Sequence, residues 1–204
     1  MNFLAHIYLS GDSDQVKIGN FIGDWIKGND FNNFPADIKK GILIHRSIDS
    51  YTDSHPIVRL SKSRLNDKYH KYSGVIIDIF YDHFLSVNWD SYSSVSISEF
   101  TNELNNCLTA YMSFLPASIQ EFIPRFMKNR WIESYATPEG IEKVLEGMSR
   151  HTSLPDKTID AIEILKTYYS EFQNEFIEYF PTLIHHVEEK FQISIQRELS
   201  KKAK

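Results

Sequence analysis

The chain has 204 residues, of which 42% are hydrophobic and 14% aromatic, and its formal net charge is −5. This length fits one domain with a core of ordinary size, and the acidic balance argues against a general nucleic-acid binder. The single cysteine, Cys107, excludes an intrachain disulfide and a multi-cysteine zinc site. MNFLAHIYLS lacks the basic start of a signal peptide, and no run of about 18 apolar residues occurs, so we expect a cytoplasmic protein without membrane association.

Helix patterns dominate the sequence, and strand signals are weak. Pro35 and Pro56 fit the first turn of a helix, and Ser73 is a plausible cap before an apolar run. The sequence therefore predicts an all-α, single-domain helical bundle over 1–190, followed by a basic C-terminal tail, 191–204. The predicted helices cover 14–27, 35–53, 56–71, 73–89, 96–114, 117–130, 138–150 and 155–190, the last with a break near Pro181.

Two apolar segments near the start contain isolated polar residues. His6 lies within FLAHIYL, either as a hydrogen-bonded core histidine or as part of a site. In IGNFIGDWIKG, Gly19 and Gly23 are four residues apart, a spacing that allows a neighbouring helix to approach closely. Asp24 follows at that contact, either as a metal ligand or as an ion-pair partner of Lys27.

The predicted helix 35–53 carries ionisable residues on its apolar face. At helical spacing, His45, Asp49 and Asp53 share one sector with isoleucines. A buried carboxylate is costly unless it is paired or holds a cation. This face therefore favours a metal site, although Asp53 and His55 also fit a simple role at the end of the helix.

The next segment, RLSKSRLNDKYHK (59–71), holds five basic residues against the single acid Asp67. Two interpretations are open: a solvated helix face, or a cationic patch that docks an acidic partner. The basic residues considered for docking are Arg59, Lys62, Arg64 and Lys68.

The segment GVIIDIFYDHFL repeats the pattern of buried ionisable residues. It is apolar nearly all round, which indicates a central helix. Asp78 and Asp82 lie one turn apart, and His83 follows about 100° further round. Two such helices facing each other would supply the oxygen and nitrogen ligands of a divalent metal. The candidate metal ligands are therefore Asp24, His45, Asp78, Asp82 and His83, with Asp49 beside them.

Several other chemistries lack their motifs. The sequence has no phosphate-binding P-loop, no Gly-x-Ser-x-Gly elbow and no Glu-x-x-His pair of a di-iron bundle. A helical His/Asp metal cluster suits phosphodiester hydrolysis, in which a nearby cation such as Arg46 or Lys27 neutralises developing charge.

Four ordered segments, MNFLAHIYLS, IGNFIGDWIKG, GILIHRSIDSYTDSHP and GVIIDIFYDHFLSVNW, together resemble the signature segments of bacterial acyl carrier protein phosphodiesterases. The later RFMKNRWIESYATPEGIEKVLEGMSRH is similar to the second half of that family. The resemblance implies an HD-domain-like fold and removal of 4′-phosphopantetheine from holo-acyl carrier protein, a reaction of fatty acid and lipid metabolism. It also implies dependence on Mn²⁺, with Mg²⁺ or Fe²⁺ as alternatives. The order Asp-His in YDHF departs from the HD dipeptide and leaves the ligand set open.

The implied mechanism distributes roles among the candidate residues. Asp49, or Asp78 in its place, orients the attacking water, while water, His55 or His6 gives a proton to the leaving serine. His6 and Asp53 support the ligands, and the acidic carrier protein docks on the basic segment. Two alternatives remain open: an HD-like hydrolase of a nucleotide or other small phosphoester, and a helical module that binds carrier protein without catalysis.

Overall fold

The computed structural model describes residues 1–195, and every regular element in that range is a helix. Short 3₁₀ turns occur between several of the helices, including one at Gly23–Trp25. The predicted basic tail lies outside the described residues from position 196 onward. The α-helices are α1 (Phe3–Tyr8), α2 (Asp14–Phe21), α3 (Ala36–Ser54), α4 (Pro56–Ser63), α5 (Asn66–Tyr69), α6 (Ser73–Val87), α7 (Ile97–Tyr111), α8 (Ala117–Lys128), α9 (Trp131–Ser134), α10 (Pro138–His151), α11 (Thr158–Thr167) and α12 (Tyr169–Phe191).

The all-α prediction is confirmed, but several predicted helix boundaries were wrong. The helix predicted over 14–27 ends at Phe21 and is followed by the 3₁₀ turn Gly23–Trp25. The chain from 155 to 190 does not break at Pro181, which lies inside α12; it divides instead at Tyr168, between α11 and α12. A proline within a helix costs about 3 kcal/mol because one backbone hydrogen bond is lost. Near Pro181, the side chains of Tyr179, Phe180 and Leu183 are fully buried. The free energy gained from their burial offsets the cost of the proline. The predicted helix 56–71 is likewise split into α4, α5 and a 3₁₀ turn.

Helix α6 lies at the centre of the bundle, as its all-round apolar pattern predicted. Its apolar residues from Ile76 to Leu85 are almost completely buried, and it packs against α1, α4, α10 and α12. No helix in residues 1–195 has both the length and the apolar character needed to cross a membrane.

Helices α2 and α3 pack backbone to backbone, and this contact shapes the site described below. A Cβ atom at Gly19 would lie 2.0 Å from the carbonyl oxygen of Ile38, and one at Gly41 would lie 2.2 Å from that of Val16. Glycine is therefore required at both positions, and the close approach predicted from the glycine spacing is confirmed. This contact places the end of α2 and the following 3₁₀ turn next to the middle of α3.

Candidate metal centre

Three side chains from two helices converge at one point of the structure. The Nε2 atom of His6, on α1, lies 3.2 Å from Asp49 Oδ1, and the Nε2 atom of His45, on α3, lies 3.2 Å from Asp49 Oδ2. The two imidazole rings stack with centroids 4.2 Å apart. One ligand atom from each residue lies within 4.8 Å of the others, which is a spacing that one metal ion can bridge. We call His6, His45 and Asp49 the histidine–aspartate cluster.

Asn20, on α2, fixes the orientation of both imidazoles. Its side-chain NH₂ donates to the carbonyl oxygen of His6 (2.7 Å) and to Ser10 Oγ (3.0 Å), so its Oδ1 is left to accept from His6 Nδ1 (2.8 Å). The backbone oxygen of Asn20 accepts from His45 Nδ1 (2.9 Å). Because both Nδ1 atoms act as donors, both Nε2 atoms turn towards Asp49. A second hydrogen bond of this kind is how metal-binding histidines are usually held in proteins.

Gly23 provides the space that the His45 ring occupies. A Cβ atom at position 23 would lie 2.2 Å from His45 Cγ, so any side chain there would displace the ring. The same turn places Asp24 Oδ1 3.3 Å from His45 Nε2. Asp24 is largely exposed, with 71% of its side chain accessible to solvent, and it stands at the edge of the cluster.

The electrostatics of the cluster follow from its burial and its opposite charges. Burial lowers the pKa of His6, and the neighbouring His45 lowers it further. Burial also acts to lower the pKa of His45, but hydrogen bonds to Asp24 and Asp49 prevail and raise it to about 9. Burial would raise the pKa of Asp49, but its hydrogen bonds to the two imidazoles hold it well below the usual range. At neutral pH the Asp49 carboxylate is therefore ionised and paired with a protonated His45, and a metal ion would take the place of the proton on His45 Nε2.

A cleft of about 360 Å³ opens over the cluster. Asp53 and Asp78 also line it, and Asp78 forms a 2.6 Å ion pair with the α-ammonium group of Met1. Burial raises the pKa of the Asp78 carboxyl to about 6, although the ammonium group acts in the opposite direction. Four aspartates thus face this cleft, an excess of negative charge that a bound cation would balance. Its full lining comprises Met1, Asn2, Phe3, His6, Asn20, Phe21, Asp24, His45, Asp49, Thr52, Asp53, Val75, Asp78 and Met148.

Two predicted ligands on α6 do not reach the cluster, which corrects that part of the prediction. The carboxylate of Asp82 is fully buried and accepts the backbone N–H groups of Asn2 (3.1 Å), Leu4 (2.8 Å) and Ala5 (3.4 Å), so it caps the start of α1. His83 Nδ1 bonds to the carbonyl oxygen of Tyr135 (2.7 Å), and Nε2 bonds to Tyr169 Oη (2.9 Å). Both nitrogens of His83 are used on the far side of α6.

Three residues expected to take part in catalysis also lie away from the cluster. The guanidinium of Arg46 donates to the carbonyl oxygens of Ile26 and Gly28 and so anchors the loop after α2. Lys27 Nζ donates to the backbone oxygen of Asp24. His55 caps α4, where its Nδ1 accepts from the N–H of Ile57 (3.3 Å). None of Arg46, Lys27 and His55 lines the cleft.

The basic segment is less uniform than its sequence suggested. Arg64 forms a two-pronged pair with Glu175 of α12 (2.7 and 2.9 Å), which makes it an anchor for α4 and not a docking group. Lys68 pairs with Asp160, and Lys62 pairs with Asp53 at 3.2 Å, beside the cleft. Arg59 is exposed and forms no ion pair within residues 1–195.

The donor set fits a divalent metal. Two imidazole nitrogens and one carboxylate oxygen, with further carboxylates nearby, are ligands accepted by Zn²⁺, Fe²⁺ and Mn²⁺. The fixed Nδ1 donors and the excess of carboxylates in the cleft agree with such a site. Sequence reasoning missed Asn20 entirely and gave His6 a supporting role. The signal for Asn20 was an amide within the apolar stretch IGNFIG.

Comparisons with known proteins place the chain in a family. The family model for acyl carrier protein phosphodiesterase matches residues 1–183. Curated proteins named acyl carrier protein phosphodiesterase from Escherichia coli O6:H1, Photorhabdus laumondii and Yersinia pestis are 30%, 29% and 27% identical to it. Each alignment covers 93% of this chain and 96–99% of the relative. No solved structure matches significantly. The resemblance noted in the sequence is confirmed: the chain belongs to the acyl carrier protein phosphodiesterase family.

Proposed function

We propose that this protein hydrolyses the phosphodiester between serine and 4′-phosphopantetheine in holo-acyl carrier protein, giving the apo protein and free 4′-phosphopantetheine. Family membership supports the reaction, and relatives of nearly the same length carry the corresponding name. The structural observation that supports the proposal is the histidine–aspartate cluster. Both of its Nε2 atoms face one carboxylate, and an open cleft lies over the cluster.

We assign His6, His45 and Asp49 as the metal ligands, with Asp24, whose Oδ1 lies 3.3 Å from His45 Nε2, placed to add an oxygen ligand directly or through water. When bound, a divalent cation supplies Lewis-acid chemistry: it polarises a phosphoryl oxygen and lowers the pKa of water. Mn²⁺ is our first choice, because the site mixes nitrogen with several carboxylate oxygens; Mg²⁺ or Fe²⁺ would use the same residues.

The residues of the chain supply the proton transfers and the orientation. Asp78 lies in the cleft but outside the cluster, and its pKa of about 6 suits a base that accepts a proton from water near neutral pH. Asn20 accepts the Nδ1–H of both imidazoles and so keeps both Nε2 atoms directed at Asp49. The leaving serine oxygen takes its proton from solvent at the open side of the cleft, since His55 lies elsewhere.

The carrier protein is expected to dock beside α4. Arg59 and Lys68 carry exposed charges, and Lys62 lies next to Asp53 at the edge of the cleft. An acidic protein would meet positive charge at this surface, while the net charge of −5 would repel it elsewhere. Exposed ion pairs such as Lys68–Asp160 are weak, so both lysines can exchange partners at little cost.

Three finer expectations also belong to this proposal. The helical architecture and the His/Asp ligands are compatible with an HD-like relationship, and the proposed substrate is compatible with a role in fatty acid and lipid metabolism. Residues 1–195 offer no helix fit to span a membrane, which agrees with action on a carrier protein in the cytoplasm.

The direct test is incubation with holo-acyl carrier protein, with and without Mn²⁺, followed by intact-mass measurement of the carrier protein. We expect loss of the phosphopantetheine mass only with the metal, and no loss with the variant Asp49→Asn. An unchanged mass with fully metal-loaded protein would refute the proposal. Cleavage of nucleotides or small phosphoesters in the same preparation would favour the alternative hydrolase. Absence of any bound metal would favour a non-catalytic binding module.

A further inference from the structure

A continuous group of aromatic rings borders the cleft. Phe3 lies within 5.3 Å of Phe21, 5.8 Å of Phe122 and 6.3 Å of Trp131, measured between ring centroids. Trp25 lies 5.2 Å from Phe122. We call these five residues the aromatic shelf. Phe21 is buried, whereas the other four rings are only partly buried and keep exposed surface.

The shelf begins inside the cleft and continues outside it. Phe3 and Phe21 line the cleft together with the histidine–aspartate cluster, whereas Trp25, Phe122 and Trp131 are not part of its lining. The rings therefore form a path of apolar surface that leads away from the cluster. All four partly exposed rings pack against the core, and the part of each ring that stays accessible adds apolar surface next to a polar cleft.

The shelf and the docking surface lie at opposite ends of the cleft. Trp25 directly follows Asp24, which contacts His45 near the middle of α3. Lys62 and α4 contact Asp53, which is two turns further along α3. At a rise of 1.5 Å per residue, His45 and Asp53 are separated by about 12 Å along the helix axis. The cluster thus lies between an apolar end and a cationic end.

We propose that the aromatic shelf binds the pantetheine arm of the substrate, an inference that rests on the proposed function. The scissile phosphodiester divides the substrate into an acidic protein and an arm that carries a geminal dimethyl group and two amide-linked chains. If the phosphate lies at the cluster and the protein at the cationic end, the arm extends towards the shelf. Aromatic faces pack well against methyl groups and flat amides, so the chemistry of the arm matches the surface.

The first test measures binding of free 4′-phosphopantetheine to the Mn²⁺-loaded protein, with inorganic phosphate as the reference ligand. Trp25→Ala and Phe122→Ala should each weaken binding of 4′-phosphopantetheine about tenfold and leave binding of phosphate unchanged. Phe114→Ala is the matched control, because Phe114 is 75% exposed and lies outside the shelf. Equal loss for both ligands, or no loss for either, would overturn the proposal. Thermal unfolding of each variant identifies any that fail to fold.

The second test needs no variant. Trp25 and Trp131 lie on the shelf, and the third tryptophan, Trp89, is only 4% exposed. Addition of 4′-phosphopantetheine should therefore change the tryptophan emission of the wild-type protein, and inorganic phosphate should not. An unchanged emission at saturating 4′-phosphopantetheine would contradict the shelf as its binding surface. If the mass assay shows cleavage of holo-carrier protein but these tests fail, the shelf assignment falls and the proposed function stands.

Discussion

Helices α3 and α6 show the same sequence pattern but use it differently. Each is a buried helix that carries two aspartates one turn apart and a histidine close by. On α3, His45 and Asp49 meet the imidazole of His6 and border an open cleft. On α6, Asp82 is enclosed by three backbone N–H groups, and His83 is enclosed between Tyr135 and Tyr169.

The two helices differ in the partners that surround their buried aspartates. A buried carboxyl group needs hydrogen-bonding partners, and backbone N–H groups at a helix start can supply them in place of a cation. Asp82 has donors for both of its oxygens, so it stabilises the fold. Asp49 has only the two imidazoles, which are themselves ligands for a metal. Buried charge in a sequence therefore indicates that a partner exists, while the tertiary structure decides which partner it is.

The same substitution made in both helices should have very different effects. His45→Gln removes a proposed ligand and should lower kcat/KM on holo-carrier protein by more than about 100-fold, the upper range for loss of a residue that merely supports a ligand. His83→Gln should change it by less than about threefold, because His83 does not reach the cleft. Intact-mass time courses measure both values. A similar loss in the two variants would show that His83 also takes part in the site.

The second prediction concerns Asn20, which orients the two imidazoles of the cluster. Asn20→Ala removes the acceptor for His6 Nδ1 and the donors to His6 O and Ser10 Oγ. The affinity for Mn²⁺ should fall by about 10- to 100-fold. Calorimetric titration of the metal measures this directly. Asn88→Ala is the control, since among residues 1–195 the Asn88 amide donates only to Phe84 O at the end of α6. An equal loss of Mn²⁺ affinity in both variants would show that Asn20 does not orient the metal ligands.

Local patterns were enough to predict the fold class and most helices. The apolar sector of α3 and the glycine pair at 19 and 23 also indicated which faces would be covered, but not which helix would cover them. Two short helices, α1 and α9, were not predicted. Helix α1 has six residues, too few for a stable periodic signal. It depends on hydrogen bonds that backbone N–H groups at its start donate to Asp82, which lies 77 to 80 positions later in the sequence.

The composition of the candidate site was harder to predict for the same reason. His6 reaches His45 because α1 and α3 both pack against α2, and Asn20 bonds to both histidines at once. A helical projection shows which face of a helix is buried, but it cannot show which helix covers that face. Arg46 and Arg64 likewise have the right charge for catalysis or docking, yet loop carbonyls and Glu175 bind them.

The third prediction tests the structural role of Asp82 through pH. Burial raises the pKa of the Asp82 carboxyl from its ordinary value of 3.8 to about 7, although the Met1 ammonium group and three backbone N–H groups act in the opposite direction. Between pH 4 and pH 7 the folded protein therefore holds a proton on Asp82 that the unfolded chain has lost. The free energy of unfolding should fall as the pH rises through this range, by at most about 1.4 kcal/mol per unit, or tenfold in the unfolding equilibrium.

Asp82→Asn isolates this contribution, because the amide oxygen still accepts hydrogen bonds but does not titrate. Urea unfolding at pH 5, 6 and 7 should show a shallower decline for the variant than for the wild type. The decline that remains belongs to other groups, including Asp78, whose pKa burial raises to about 6. Asp90→Asn, at an exposed position, should keep the full wild-type slope. If Asp82→Asn also kept that slope, Asp82 would be ionised throughout this range. The donors from α1 would then outweigh burial, and the aspartates of the two helices would differ only in their partners and not in their charge.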